Sequence, residues 1–217
     1  MTTGKTTRLT IKFLGGKENI MEKSTENINK FEMSCRVISM VKHDGGTGFI
    51  RGYIKDGIDI YPGVYIPKSV YREFSHHSRV RIKGHLQTRT VKKDGQYRKI
   101  QQLVADSLIS EPTLTEEHFG CKGKFFGPSF IRICLQGTVV KVIDNGNWYR
   151  YKINVSNNDK SNIVVINMKK LERHLNVKVG DKICAVCTYA TPKKYINEED
   201  VVYEDIIVSD LSIVESL

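Results

Sequence analysis

Hydrophobic and polar residues alternate in short runs along most of this chain, and the same succession of runs occurs twice. The first copy spans residues 33–110 and the second spans about 131–214, an offset of about 100 residues. Alternation over a few residues predicts strands with one buried face. Each copy holds five such runs. The turn after the first run contains Asp44-Gly45 or Asn145-Gly146, dipeptides that are typical of β-hairpins.

A helical period occurs in each copy only between the third and fourth runs. Pro67 suits a first helical turn, and Val70 and Phe74 follow it four residues apart. In the second copy the residues with helical spacing are Met168, Leu171 and Leu175. Five strands with one short helix after the third are the layout of an OB-fold barrel. The sequence therefore predicts an all-β protein with two tandem five-stranded OB-fold barrels, each containing one short helix of two or three turns.

The remaining segments set the predicted boundaries. Leu9, Ile11 and Phe13 alternate as in a strand, so the N-terminal segment is an added strand or a tail, and Met21 is a second candidate translation start. Pro and Gly mark the segment between the copies as a linker. The predicted divisions are a tail or added strand 1–32, a first barrel 33–111, a linker 112–129 and a second barrel 130–217.

Composition narrows the class of protein. The 217 residues are 40% hydrophobic and 27% charged, which is typical of a globular protein. There is no apolar run of about 18 residues, so no membrane span is expected. The N-terminus has no secretory pattern, and the five cysteines are scattered. We therefore expect a cytoplasmic location.

The net charge of +10 is unevenly distributed. Residues 33–110 contain fourteen Lys/Arg against six Asp/Glu, whereas residues 111–217 contain fourteen of each. A basic excess confined to one unit suggests a face that binds a polyanion there. A solvated, Lys-rich surface is the alternative that composition leaves open.

The outward faces of the first copy combine aromatic rings with cations. Phe49, Arg51 and Tyr53 share one face of the second strand, as expected of a surface that stacks bases and pairs phosphates. The fourth strand carries a row of cations on its outer face, from Arg79 to Arg89. Such a row repels itself unless a polyanion or acidic neighbours offset it. Protection of an edge strand against aggregation is the alternative.

The second copy is less basic on the matching faces. Trp148, Arg150 and Lys152 face outward, but Cys184 and Val186 stand where the first copy has polar residues. This copy is therefore expected to bind nucleic acid weakly or to dock a protein. The spacing of Cys184 and Cys187 in a strand, without a second such pair, does not favour a metal site.

One segment resembles a known family. Residues 84–90, then Asp94-Gly95 and Val104-Ala105-Asp106, are similar to bacterial-type single-stranded DNA-binding proteins. In that family a fourth strand G-x-L-x-T-R leads into a D-G hairpin and a fifth strand ending in V-A-D. The resemblance implies binding of single strands along the outer barrel face and this hairpin. The two-barrel members of the family form dimers that carry four barrels.

The outward faces and the resemblance together predict a non-enzymatic protein that coats single-stranded DNA in replication, recombination or mobile-element transfer, without cofactor or metal. The expected assembly is a homodimer or a higher homo-oligomer. A replication or conjugation adaptor whose second barrel docks a partner protein, and an RNA-binding protein, are the alternatives. The predicted nucleic-acid-binding residues are Arg36, Lys42, Phe49, Arg51, Tyr53, Arg79, Arg81, Lys83, His85, Arg89, Lys92, Lys93, Tyr97, Arg98, Lys99, Trp148, Arg150, Lys152, Lys193, Lys194 and Tyr195.

Overall fold

Strands dominate the structure, a computed structural model. It describes residues 9–11, 19–21, 26–56, 58–93, 95–111, 129–158, 161–170, 176–191, 193–196, 199–202 and 204–216. Within these ranges the regular structure is fifteen β-strands and one 3-10 turn, so the all-β prediction is confirmed. No helix in the described part of the chain is long and apolar enough to cross a membrane.

The strands fall into two sets along the chain. A short hairpin of β1 (Leu9–Ile11) and β2 (Asn19–Met21) precedes both sets. The first half comprises β3 (Ile28–Lys42), β4 (Gly48–Asp56), β5 (Ile58–Ile60), β6 (Gly63–Ile66), β7 (Arg79–Lys93) and β8 (Gln96–Glu111). The second half comprises β9 (Phe130–Asn145), β10 (Trp148–Asn154), β11 (Ile163–Lys169), β12 (Lys182–Ala190), β13 (Lys193–Ile196), β14 (Glu199–Val202) and β15 (Asp205–Glu215).

In each half, the paired strands form a closed ring, which we call a circuit. In the first half β3 pairs with β4, β4 with β6, β6 with β8, β8 with β7 and β7 with β3. In the second half β9, β10, β11, β15 and β12 follow one another in the same way, and β12 returns to β9. Each circuit has one parallel pairing, β6–β8 or β11–β15. Antiparallel pairing of β3 with β9 joins the two circuits.

Alternation places apolar side chains inside each circuit. Val80, Ile82 and Leu86 on β7 are fully buried, as are Ile153 and Ile166 in the second half. Gly84 belongs to the same inward row, and a Cβ there would lie 1.9 Å from the carbonyl oxygen of Val104. Only glycine allows β7 and β8 to approach so closely at this point.

The helix predicted for the first half is the part of the fold that the structure corrects. Between β6 and β7 there is only one 3-10 turn, Lys68–Val70, instead of a helix of two or three turns. Val70 and Phe74 still pack against the core, so their apolar character reflects contact with the circuit rather than a helical period. In the second half Met168 lies in β11, and Leu171 and Leu175 lie outside the described residues.

Side-chain amides connect the two halves where strand pairing stops. Gln101 of β8 donates to the carbonyl of Val165 at 3.1 Å and accepts from its N–H at 2.6 Å. Asn162 accepts from the N–H of Thr88 at 3.2 Å and donates to the carbonyl of Leu86 at 2.8 Å. The Thr88 hydroxyl donates to the carbonyl of Ile163 at 2.7 Å. These neutral groups take the place of a neighbouring strand at the edge of β11.

We expect Gln101→Ala to lower the free energy of unfolding by about 2–3 kcal/mol, because it leaves the N–H and carbonyl of Val165 without these partners. Urea unfolding measures the loss, and it should not change with salt because the amide is uncharged. Gln87→Ala removes an exposed glutamine from β7 and serves as the matched control, with an effect within about 0.5 kcal/mol. Equal losses in the two variants would show that Gln101 does not hold the halves together.

Candidate nucleic-acid interface

Cross-strand pairing gathers aromatic rings and arginines on the outer surface of the first half. Tyr53 stands opposite Arg36, and Phe49 stands opposite Tyr65. The rings of Tyr53 and Tyr61 lie 5.5 Å apart. We call this surface the aromatic strip. Its members are Arg36, Phe49, Arg51, Tyr53, Tyr61, Tyr65 and Arg89.

Arginines lie over the rings of this strip. The guanidinium of Arg51 is 5.7 Å from the ring centre of Phe49, and that of Arg89 is 5.6 Å from the ring centre of Tyr65. A Cβ on Gly63 would lie 2.4 Å from the Phe49 ring, so the ring lies across β6 at a residue without a side chain. Rings that alternate with guanidinium groups provide stacking surfaces and phosphate partners side by side.

Two of the tyrosines were missed by sequence reasoning. Tyr65 lies between the buried residues Val64 and Ile66, and this alternation could have placed it outward with Phe49. Tyr61 lies in the loop before β6, and no periodic pattern indicated its position. The Tyr53 hydroxyl donates to Asp59 at 2.8 Å. Burial raises the pKa of Tyr53, and Asp59 raises it further, so this ring stays neutral at physiological pH.

Three cations of the β7 row form ion pairs within the protein. Arg79 lies 3.4 Å from a Glu111 oxygen, and Arg81 lies 2.8 Å from the other one. Arg81 is also 3.8 Å, and Lys83 3.6 Å, from Glu32. These carboxylates are the acidic neighbours that such a row requires. The row was predicted to bind nucleic acid, and three of its members, Arg79, Arg81 and Lys83, form these ion pairs within the protein.

We call the face that carries the ion pairs of Arg79, Arg81 and Lys83 the ion-pair face. It continues onto the second half. Ile109, Arg81, Ser34 and Phe130 stand opposite one another in turn across β8, β7, β3 and β9. The Phe130 ring centre lies 5.9 Å from the guanidinium of Arg81 and 5.4 Å from that of Arg132. Sequence reasoning missed Phe130 and Arg132 because the predicted barrel strand began only after them.

The other predicted residues of β7 and β8 differ in their contacts. His85 pairs with Asp106 at 2.9 Å. Beyond it, the hairpin tip presents exposed residues, and among the described residues none of its cations forms an ion pair with a carboxylate. Tyr97 is 76% exposed, and the Lys92 ammonium is 5.9 Å from its ring centre. The described cations of this tip are Lys92, Arg98 and Lys99.

The second half exposes a smaller aromatic and basic face. Trp148 is 36% exposed, and Arg150 next to it donates to Asn167 at 3.0 Å. Lys152 stands opposite Val165 on β11, the residue that binds Gln101 of the first half. The hairpin β7–β8 and the Trp148 face are therefore close neighbours.

The other residues that were predicted to bind nucleic acid lie outside these surfaces or outside the described residues, except Arg36, which belongs to the aromatic strip. Lys42 pairs with Glu73 at 3.4 Å, and Arg36 contacts the ring nitrogen Nδ1 of His77. The side chains of Lys93, Lys193, Lys194 and Tyr195 lie outside the described residues.

Buried cysteines in this structure have raised pKa values. Burial raises the pKa of Cys35 to about 12 and that of Cys184 to about 11, so both stay protonated at neutral pH. No group of three or more His, Cys, Asp or Glu residues that could hold a metal ion occurs in the described ranges.

Solved structures of similar fold include two from Thermus aquaticus. A deletion mutant of the single-stranded DNA binding protein from Thermus aquaticus has a TM-score of 0.59 and 11% identity, covering 88% of this chain and 96% of that one. The wild-type protein has a TM-score of 0.56 and 11% identity, covering 87% and 94%. The chain shares their fold. No protein-family model and no curated protein sequence matches it.

We expect Arg81→Ala to lower the free energy of unfolding by about 1 kcal/mol at low salt, because it leaves Glu32 and Glu111 with fewer cations. Thermal or urea unfolding measures this, and the loss should shrink in high salt. Arg89→Ala removes an arginine outside these ion pairs and should change stability by less than about 0.5 kcal/mol. A larger loss from Arg89→Ala than from Arg81→Ala would contradict this assignment.

Proposed function

We propose that this protein binds single-stranded DNA along the aromatic strip of its first half. The alternation of rings and guanidinium groups from Tyr53 to Arg89 on one continuous surface is the observation that carries the proposal. Rings accept bases of any sequence, because every base has a π-face, and guanidinium groups pair with the phosphates between them. Binding is therefore expected to be largely independent of sequence and sensitive to salt.

The fold supports this proposal. We infer that the two closed circuits are tandem OB-fold barrels, and that in the first of them the 3-10 turn replaces the short helix. The proteins of similar fold are named as single-stranded DNA binding proteins. On this basis the chain coats and protects single strands in replication, recombination or mobile-element transfer in the cytoplasm.

The exposed hairpin and the Trp148 face extend the proposed surface. The hairpin tip carries unneutralised cations and Tyr97, and its base is fixed to β11 by Gln101. Lys152 lies one strand spacing, about 4.8 Å, beyond that contact. A strand leaving the aromatic strip at Arg89 would reach the second half along this hairpin.

Titration with a dT oligonucleotide of about 30 nucleotides tests the proposal, with fluorescence anisotropy of the labelled DNA reporting affinity. We expect binding that weakens steeply between about 50 mM and about 500 mM salt. Arg89→Ala should lower affinity about five- to tenfold and reduce the salt slope by about 0.7. Arg72→Ala, which removes an exposed arginine outside the strip and the hairpin, is the matched control.

Other measurements in the same titration separate the alternatives. Trp148 is the single tryptophan, so quenching of its fluorescence reports contact with the second half. Binding without quenching would confine the strand to the first half. Tighter binding of a matched RNA would favour an RNA-binding protein, and no binding of DNA at low salt would refute the proposal.

We also propose that the ion-pair face is the contact between two copies of the chain. Its cations already have carboxylate partners, which makes it a poor surface for a polyanion. Ile109 is 50% exposed beside these pairs, and Phe130 lies in the same row. A face with both charges and apolar side chains can match its own copy about a two-fold axis.

Sedimentation of the full chain tests this assembly. We expect a homodimer, and Ile109→Glu should weaken dimerisation at least about tenfold, since it places an unpaired charge in the contact. Ile58→Glu is the matched control, because Ile58 is 64% exposed on β5, away from this face. A monomer in the parent protein, or equal effects of the two substitutions, would contradict the proposed contact.

A further inference from the structure

A carboxylate of the second half lies within the aromatic strip of the first half. Glu204, which precedes β15, is 3.4 Å from Nη1 of Arg51. The same guanidinium nitrogen donates to the carbonyl of Tyr61 at 3.0 Å. A Cβ on Gly63 would come within 3.2 Å of the Glu204 carboxylate, so the carboxylate also lies against β6. The arginine at the centre of the strip is thus already occupied by an anion.

The surroundings hold Glu204 in this position. Its side chain is 34% exposed, and it lines a pocket of ≈ 20 Å³, room for about one water molecule, together with Tyr189 and Gln101. Burial raises the pKa of Glu204, whereas Tyr189 and Arg51 act to lower it. Burial and the Glu204 charge raise the pKa of Tyr189, which stays neutral. Among the residues that the structure describes, the charged and titratable groups that face Glu204 are Arg51 from β4 and Tyr189 from β12, next to the Gly63 backbone of β6.

We propose that Glu204 competes with the phosphates of a bound strand for Arg51, so that the second half limits the affinity of the first. This inference rests on the proposed binding of single-stranded DNA. A phosphate that approaches Arg51 meets a carboxylate a few ångströms away, and like charges at that distance repel each other. Binding therefore exchanges the Arg51–Glu204 contact for an Arg51–phosphate contact. The gain in binding free energy is smaller than an arginine without a carboxylate partner would provide.

The contact also predicts a pH dependence with a definite sign. Protonation of Glu204 removes the competing charge, while the phosphates of DNA remain ionised. Because burial raises the pKa of Glu204, its neutral form becomes populated at higher pH than that of an ordinary glutamate. The affinity that this site contributes should therefore rise as the pH is lowered and Glu204 takes up a proton.

Anisotropy titrations of the full chain with the dT oligonucleotide test the inference at low salt. At about pH 8 we expect Glu204→Gln to bind about three- to tenfold more tightly than the parent, with a salt slope steeper by about 0.7. As the pH is lowered, the affinities of the two proteins should converge. The ratio of the two affinities at each pH isolates Glu204, because every other titratable group is common to both proteins. Glu215→Gln, which neutralises an exposed carboxylate at the end of β15, is the matched control.

A double-mutant cycle shows whether the effect passes through Arg51. Glu204→Gln should give little gain in an Arg51→Ala background, and Arg51→Ala should lose the rise in affinity that the parent shows on acidification. The second comparison needs no substitution at Glu204 and serves if Glu204→Gln proves too unstable to assay. Equal affinity of the parent and Glu204→Gln at pH 8, or an undiminished gain without Arg51, would overturn the inference alone. Failure of every variant to bind would overturn the proposed function together with it.

Discussion

The whole arrangement depends on the length of two strands, β3 with 15 residues and β9 with 16. The C-terminal part of β3 pairs with β4, its N-terminal part pairs with β9, and β7 lies along its other edge. β9 does the same in its own half, with β10 and β12 in the corresponding places. Each strand thus closes one circuit and joins it to the other. A strand of ordinary length could do only one of these.

The joined strands decide what each charged surface can do. The pairing of β3 with β7 places Glu32 beside the cations of β7, and the pairing of β3 with β9 brings Phe130 to the same face. Glu111 at the end of β8 supplies a second carboxylate. Repulsion along the β7 row is thereby offset within the fold. Among the described cations of the first half, those of the hairpin tip form no ion pair with a carboxylate, whereas Arg51 of the aromatic strip pairs with Glu204. Net charge is therefore a poor guide to a binding face, because ion pairing changes how strongly each cation attracts a polyanion.

The sequence predicted most of the fold, because burial imposes alternation on each strand. Val80, Ile82 and Leu86 face inward as their spacing requires. The N-terminal part of β3 was missed, since Asn29 and Lys30 interrupt its apolar run and their partners lie in the other half. The spacing of Val70 and Phe74 predicted a helix that is not present. A loop packed on a core can bury residues four apart without forming an α-helix. The contact between Glu204 and Arg51 has no sequence signal, since the two residues are far apart along the chain.

The two halves meet through two kinds of contact that respond differently to a polyanion. The amides of Gln101 and Asn162 are neutral and bind backbone groups, so neither salt nor a bound phosphate weakens them appreciably. The contact between Arg51 and Glu204 is ionic and partly exposed, so it is the one that a phosphate can replace. In the proposed complex, exchange at Arg51 can therefore proceed while the amides keep the halves in register. The proposed adjustment of affinity by the second half then requires no movement of either half.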